Sequence, residues 1–188
     1  MAAREEILAA LRRNAPAPAP APDLSGLGAD FPEPLAELER SVAAVGGQFL
    51  RVSDRGAVVL PPSKRVVSLV PGIGRSTVDL DDVTDPRALA DLDLAVLPGE
   101  LAVAENGAVW VEGRRLGQRA VFVIAEHLVL VVAAADVVSN LHQAYARLEG
   151  RRPGYGVFIS GPSKTADIEQ ALVVGAQGAR TCTVVVVG

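Results

Sequence analysis

Residues 156–187 read GVFISGPSKTADIEQALVVGAQGARTCTVVVV. An apolar run, Gly156 to Ser160, predicts a strand, and Gly161-Pro162 predicts the turn that ends it. Thr165 to Val174 predicts a helix, closed by the Gly175-Ala-Gln-Gly178 segment. Thr181 to Val187 then forms a strand with apolar residues on both of its faces. A strand that does not alternate is buried on both sides, as parallel strands under helices are. Just upstream, Asp136 to Glu149 predicts a helix with Val137, Val138, Leu141, Tyr145 and Leu148 as its buried stripe. This order of elements predicts an α/β fold: a single open, mostly parallel sheet with helices on both faces.

Working back along the chain, Leu128–Val132, Val121–Ile124 and Leu92–Leu97 read as further apolar strands. So do Arg65–Val70, Ala57–Leu60 and Gln48–Val52. Residues 34–45 predict a helix, with Pro34 in its first turn and Gly46-Gly47 as its stop. Val103 to Glu112 surrounds Asn106-Gly107, a pair that favours tight hairpins, and predicts a small antiparallel hairpin insertion. Residues 1–14 hold a short N-terminal amphipathic helix, in which Ile7, Leu8 and Leu11 share one face. Its acids come early and Arg12 and Arg13 late, as the helix dipole prefers. Ala15 to Pro22 alternates Ala with Pro and predicts an extended polyproline arm. Residues 15–30 are therefore a Pro-rich linker, and 31–188 the α/β domain. An arm carrying an amphipathic helix suggests assembly with a partner or a homo-oligomer.

The 188 residues are 49% hydrophobic and 21% charged, which excludes disorder as the main state. Only 4% are aromatic, so the core rests on Val, Leu and Ala. A net charge of -4 argues against binding nucleic acid through bulk charge. No apolar stretch approaches the ~20 residues that a membrane-spanning helix needs. One cysteine, Cys182, and two histidines, His127 and His142, rule out a disulfide framework, a zinc ribbon or an iron–sulfur cluster held by this chain alone. The expectations are a reducing, cytoplasmic setting, no metal site and no cofactor bound by the chain.

Two segments carry candidate chemistry. In Ser160-Gly-Pro-Ser-Lys-Thr-Ala-Asp-Ile-Glu169, a helix starting after the Gly161 turn would present free N–H groups to an anion. Ser163, Lys164 and Thr165 add donors, whereas Asp167 and Glu169 in the first turn suit the helix dipole but oppose a bound anion. The site would then lie at the C-terminal end of a parallel strand, where open α/β sheets place ligands. The segment is not a phosphate-binding P-loop, because Pro162 and Ser163 separate Gly161 from Lys164. In Ala104-Glu-Asn-Gly107, Glu105 sits at a turn, placed for a base or nucleophile, with Asn106 and Gly107 beside it. Either segment also reads as an ordinary capped turn with solvated carboxylates. Gly175 to Gly178 is a simple helix stop or a close approach to a ligand.

The run SGPSKTADIEQALVVGAQGARTCTVVVVG, residues 160–188, resembles the C-terminal signature of the lactate-utilization protein C family, the LUD domain. Ala104-Glu-Asn-Gly107 is similar to that family's Ala-Glu-Thr-Gly element, and REEILAALRR to its N-terminal helix. The resemblance implies an α/β fold similar to the sugar-phosphate isomerase and CoA-transferase superfamily. It also implies a role in oxidising L-lactate to pyruvate beside partner subunits that bear iron–sulfur clusters. This chain would be the non-cluster subunit, binding a small anionic ligand through Asn106, Gly107, Gly161, Ser163, Lys164, Thr165 and Gln177. Glu105 and Asp167 would serve as catalytic or orienting carboxylates. Gln177 stands where the family pattern has His, and so takes a binding role. The alternatives are a free-standing isomerase-like or acyl-CoA transferase-like enzyme using Glu105, and a ligand-binding regulatory module.

Overall fold

The Val-rich runs meet in one sheet. The computed structural model describes residues 3–24, 26–113, 116–149, 154–168 and 171–188, the side chains of 166–168, 171 and 172 excepted. From the N-terminus the elements are α1 (Ala3–Arg13), α2 (Pro34–Ala44), β1 (Gln48–Val52), β2 (Val66–Ser68), β3 (Leu94–Pro98), β4 (Leu101–Val103) and β5 (Ala108–Glu112). There follow α3 (Val121–Ile124), β6 (His127–Ala133), β7 (Val137–Val138), α4 (Leu141–Leu148), β8 (Gly156–Ile159), β9 (Lys164–Ile168), β10 (Ala171–Val174) and β11 (Thr181–Val187).

Five strands form an all-parallel sheet in the order β1-β11-β6-β3-β2. β6 and β11 lie at its centre, so both of their faces are covered, as their unbroken apolar runs require. Toward one face point Ala95, Leu97, Leu128, Leu130, Cys182 and Val184. They pack on Leu38 and Val42 of α2, on Val121 and Phe122 of α3, and on the second sheet. Toward the other face point Leu94, Val96, Val129, Val131 and Val185. That side is closed by Val58, Leu60, Val70 and Ile73, from segments that hold only a 3-10 turn at Arg55–Ala57. Helices thus cover one face, and irregular chain covers the other.

The insertion around Asn106-Gly107 lies in a mixed four-stranded sheet in the order β7-β4-β5-β8, with β7 parallel to β4 and the other pairs antiparallel. The predicted hairpin, β4 with β5, is its centre. On its outer side Leu101, Val103 and Val138 pack against Ala144 of α4, with Trp110 and Phe158 alongside. The rings of Trp110 and Phe158 lie 4.7 Å apart, centroid to centroid.

Several elements differ from the sequence reading. Residues 164–168 and 171–174 do not form the expected helix; β9 and β10 make an antiparallel ribbon pairing Lys164 with Val174 and Thr165 with Val173. Its base is fixed from outside: Ser163 N–H donates to Ala179 O and Gly175 N–H to Ser163 O, each at 2.8 Å. β-branched Thr165, Val173 and Val174 suit this extended pairing. β8 leaves the parallel sheet and runs antiparallel to β5. The helix expected from Asp136 begins only at Leu141, because Val137 and Val138 pair with β4 as β7. Asn140 caps it, its Oδ1 accepting from Gln143 N–H at 3.0 Å. Tyr145, expected to be buried, is exposed. Val121–Ile124 forms a single helical turn, and Ala57–Leu60 forms no strand. No described helix is long and apolar enough to cross a membrane.

Candidate functional site

Ala104 to Gly107 is a tight connection held on both sides. Ala104 N–H donates to Val138 O at 2.8 Å and Glu105 N–H to Ser139 O at 3.0 Å. Asn106 Oδ1 accepts from Ala108 N–H at 3.0 Å, an Asx turn that closes the loop locally. Gly107 has φ +69°, and a Cβ there would lie 2.9 Å from Val42 N in α2. Glycine is required because the loop presses against helix backbone in a left-handed conformation. Glu105 is exposed, and its Oε1 accepts from Leu141 N–H at 2.8 Å. A carboxylate at the first N–H of a helix meets the positive end of its dipole.

The second motif wraps the same helix. Ser160 Oγ donates to Asn106 O at 2.7 Å, joining the two motifs directly. Gly161 has φ +73°, and a Cβ would meet Val45 O at 2.6 Å. Lys164 Nζ lies 4.0 Å from where a Cβ on Gly46 would be. The ammonium therefore sits beside the C-terminal end of α2, the negative end of the helix dipole. Gly107, Gly161 and Lys164 thus meet the C-terminal half of α2 and its stop, from Ser41 to Gly46, with Asn106 joined to them through Ser160. The Glu105 carboxylate is turned to α4, and Ser163 to Ala179 and Gly178.

That neighbourhood corrects two expectations. With β9 in place of a helix, no helix N-terminus follows Gly161 to attract an anion. The motif is also at the opposite end of the sheet from the one expected. Val45 and Gly46 precede β1, and Ala179 precedes β11, so the motif rests on the N-terminal edge of the parallel strands. Thr165 is half-buried and paired with Val173. The side chain of Asp167 lies outside the described residues.

Gln177 is exposed on an adjoining groove of about 570 Å³, lined by Val123, Ile124, Glu126, Gly175, Gly178 and Arg180. Ser163 connects the groove to the first neighbourhood, since a Cβ on Gly178 would lie 2.9 Å from Ser163 Cβ. Arg180 Nη1 donates to Glu126 Oε1 at 2.8 Å across the groove. Sequence reasoning missed this pair; the signal was an arginine two residues after the Gly-x-x-Gly segment. Among the described residues, no three His, Cys, Asp or Glu side chains cluster to hold a metal. Beneath Gly161, the Cys182 thiol is pushed up from 9.0 to about 12, chiefly by burial, with the Gly161 N–H partly opposing the shift.

Comparison with known proteins places this geometry. Lactate utilization protein C of Shouchella clausii is 32% identical over 122 residues, covering 60% of this chain and 53% of that protein. Lactate utilization protein C of Geobacillus kaustophilus is 29% identical over 168 residues, covering 80% of this chain and 67% of that protein. The chain spans about half to two thirds of the length of these relatives. The crystal structure of a DUF162 family protein from Deinococcus radiodurans shares the fold, with a TM-score of 0.63 and 21% identity. It is matched over 83% of this chain and 97% of that one. Residues 75–187, which include the four-stranded sheet, both motifs and the Gln177 groove, match the LUD domain, and the chain belongs to that family, the family of the lactate utilization protein C sequences.

Proposed function

We propose that the chain works in L-lactate utilization as the subunit without an iron–sulfur cluster, beside partners that carry the clusters and move the electrons. The observation that carries this reading is the match of 168 residues, with 29% identity, to a lactate utilization protein C. The chemistry of the site is compatible with a small carboxylate. Lys164, Arg180, the Ser163 hydroxyl and the Gln177 amide supply cationic and neutral donors along one edge, and a carboxylate accepts best from charged donors. Without a helix N-terminus, recognition of the anion falls to these side chains. Glu105 and Asn106, held by the contacts described above, shape the site and orient what enters it.

A strain lacking this chain, grown on L-lactate as sole carbon source, tests the reading. Growth is expected to fail on L-lactate, persist on pyruvate and return with the wild-type gene. A tagged copy is expected to retain a coloured, iron-containing protein. Normal growth on L-lactate, with no cluster-bearing protein retained, overturns it. Turnover of an acyl-CoA or sugar phosphate by the isolated chain, lost in Glu105→Gln, would replace it with the free-standing enzyme.

A further inference from the structure

The face of the central sheet that no helix covers holds a cavity of about 510 Å³ at the N-terminal edge of the strands. It is separated by the sheet from the side on which α2 and the Gly161 motif pack. Its floor is Leu50 of β1 and Val129 of β6, and its wall is Val58, Leu60, Pro61 and Pro62. Toward the strand starts the lining becomes polar, because the register sets His127 beside Thr181 and Gln48 beside Thr183. His127 Nδ1 and Thr181 Oγ1 are 2.8 Å apart, so the imidazole is oriented by the hydroxyl and Nε2 is its uncommitted nitrogen. Thr183 Oγ1 donates to Gln48 Oε1 at 3.4 Å, which leaves the Gln48 amide N–H groups to donate elsewhere.

The lining contains no carboxylate. Asp93, whose carboxylate interacts electrostatically with His127, is held by Lys64 N–H and Arg65 N–H, and Glu126 pairs with Arg180. An apolar slot of this size with a few converging donors at one end is the ordinary form of a small-molecule site. We infer that this cavity binds a small amphipathic acid, with its carboxylate or equivalent acceptor head at His127 Nε2–H and the Gln48 amide and its alkyl or aryl body against Leu50, Leu60, Pro61 and Val129. Thr181 donates to His127 Nδ1 and so orients the ring. The apolar wall selects against lactate itself, whose body is a single methyl group. The site is independent of the lactate-utilization reading and stands on separate residues.

Phenylacetate is the probe, titrated into the full chain by calorimetry, with acetate and benzylamine as controls. Phenylacetate is expected to bind at least tenfold more tightly than acetate, because the ring buries apolar area that a methyl group cannot. Benzylamine, with the same ring and a positive head, is expected not to bind. His127→Leu should weaken phenylacetate about tenfold or more, the loss of a hydrogen bond to a charged group, and Thr181→Val should weaken it by freeing the imidazole from its orientation. In the wild-type chain, phenylacetate should shift the amide resonances of Leu50, Leu60, Val129 and Thr181, a readout that does not depend on variants folding. No binding, binding as tight to benzylamine, or resonance shifts confined to other residues overturns the proposal.

Discussion

The carboxylate of Glu105 and the backbone N–H of Leu141, 36 positions apart, meet at 2.8 Å. The turn that carries the candidate carboxylate therefore also caps α4, and a loss on mutating Glu105 has two separable sources. Glu105→Gln keeps an acceptor for Leu141 N–H, whereas Glu105→Ala removes it. Urea unfolding is expected to show Glu105→Ala less stable by about 0.5–2 kcal/mol, the usual cost of a lost cap, and Glu105→Gln close to wild type. If growth on L-lactate follows stability across the two variants, Glu105 is a brace; if Glu105→Gln is stable yet inactive, the carboxylate itself touches the reaction.

Gly107 and Gly161 tie the two motifs to α2. An alanine at either must adopt a positive φ and place Cβ 2.9 Å from Val42 N or 2.6 Å from Val45 O. The left-handed conformation alone costs roughly 1–2 kcal/mol, and the backbone contact adds to it. Each variant is expected to lose more than about 2 kcal/mol by chemical denaturation. Gly26→Ala has open space around its Cβ and carries only the conformational part.

Cys182 should be inert while the chain is folded. Burial holds its thiol up near 12, so the reactive thiolate is scarce at neutral pH. A disulfide-exchange reagent is expected to label it only after urea is added. A raised folded value means stability is intact below the ordinary 9.0 and falls as pH rises from there toward about 12. Stability curves at pH 7, 9 and 10 should therefore diverge between wild type and Cys182→Ala, with the wild type losing more at pH 10.

Asp93 behaves in the opposite sense. Its carboxyl is held below the ordinary 3.8, first by the Arg65 N–H and then by the Lys64 N–H, which bond at 2.8 and 2.7 Å. A lowered folded value contributes stability that is present above the ordinary value and is lost as pH falls through the lowered one. The stability difference between wild type and Asp93→Asn should hold from pH 7 to 5 and shrink below about 4. A difference that grows on acidification would show that the carboxylate is not held this way.

The central sheet was legible because its evidence is local: Leu128–Val132 and Thr181–Val187 carry apolar residues on both faces, and only a doubly covered strand does so. The Asn106-Gly107 hairpin was equally plain from its turn residues. The ribbon of β9 and β10 was not, since Thr-Ala-Asp-Ile-Glu satisfies a helical pattern as well as an extended one. What decides it is tertiary, the pair of hydrogen bonds that Ser163 makes to Ala179 and Gly175. The same blindness moved the anion site, because a helix N-terminus was inferred where a strand stands. Asn140 could have marked the true start of α4 as a cap, but Val137 and Val138 extended the apolar spacing past it. The Glu126–Arg180 pair joins residues 54 positions apart, and its sole local signal was Arg180 beside the Gly-x-x-Gly segment.

The place of β11 between β1 and β6 has a kinetic meaning. Residues 48–52 and 127–133 have no direct strand partnership; they are joined only through residues 181–187. During synthesis, β1 leaves the ribosome with its apolar positions exposed and waits about 130 residues for its neighbour, ~7–26 s at ordinary elongation rates. Over that interval its open edge is free to pair with the wrong chain. Closure of the sheet is therefore a late, long-range event, the kind that folds slowly and that chaperones attend.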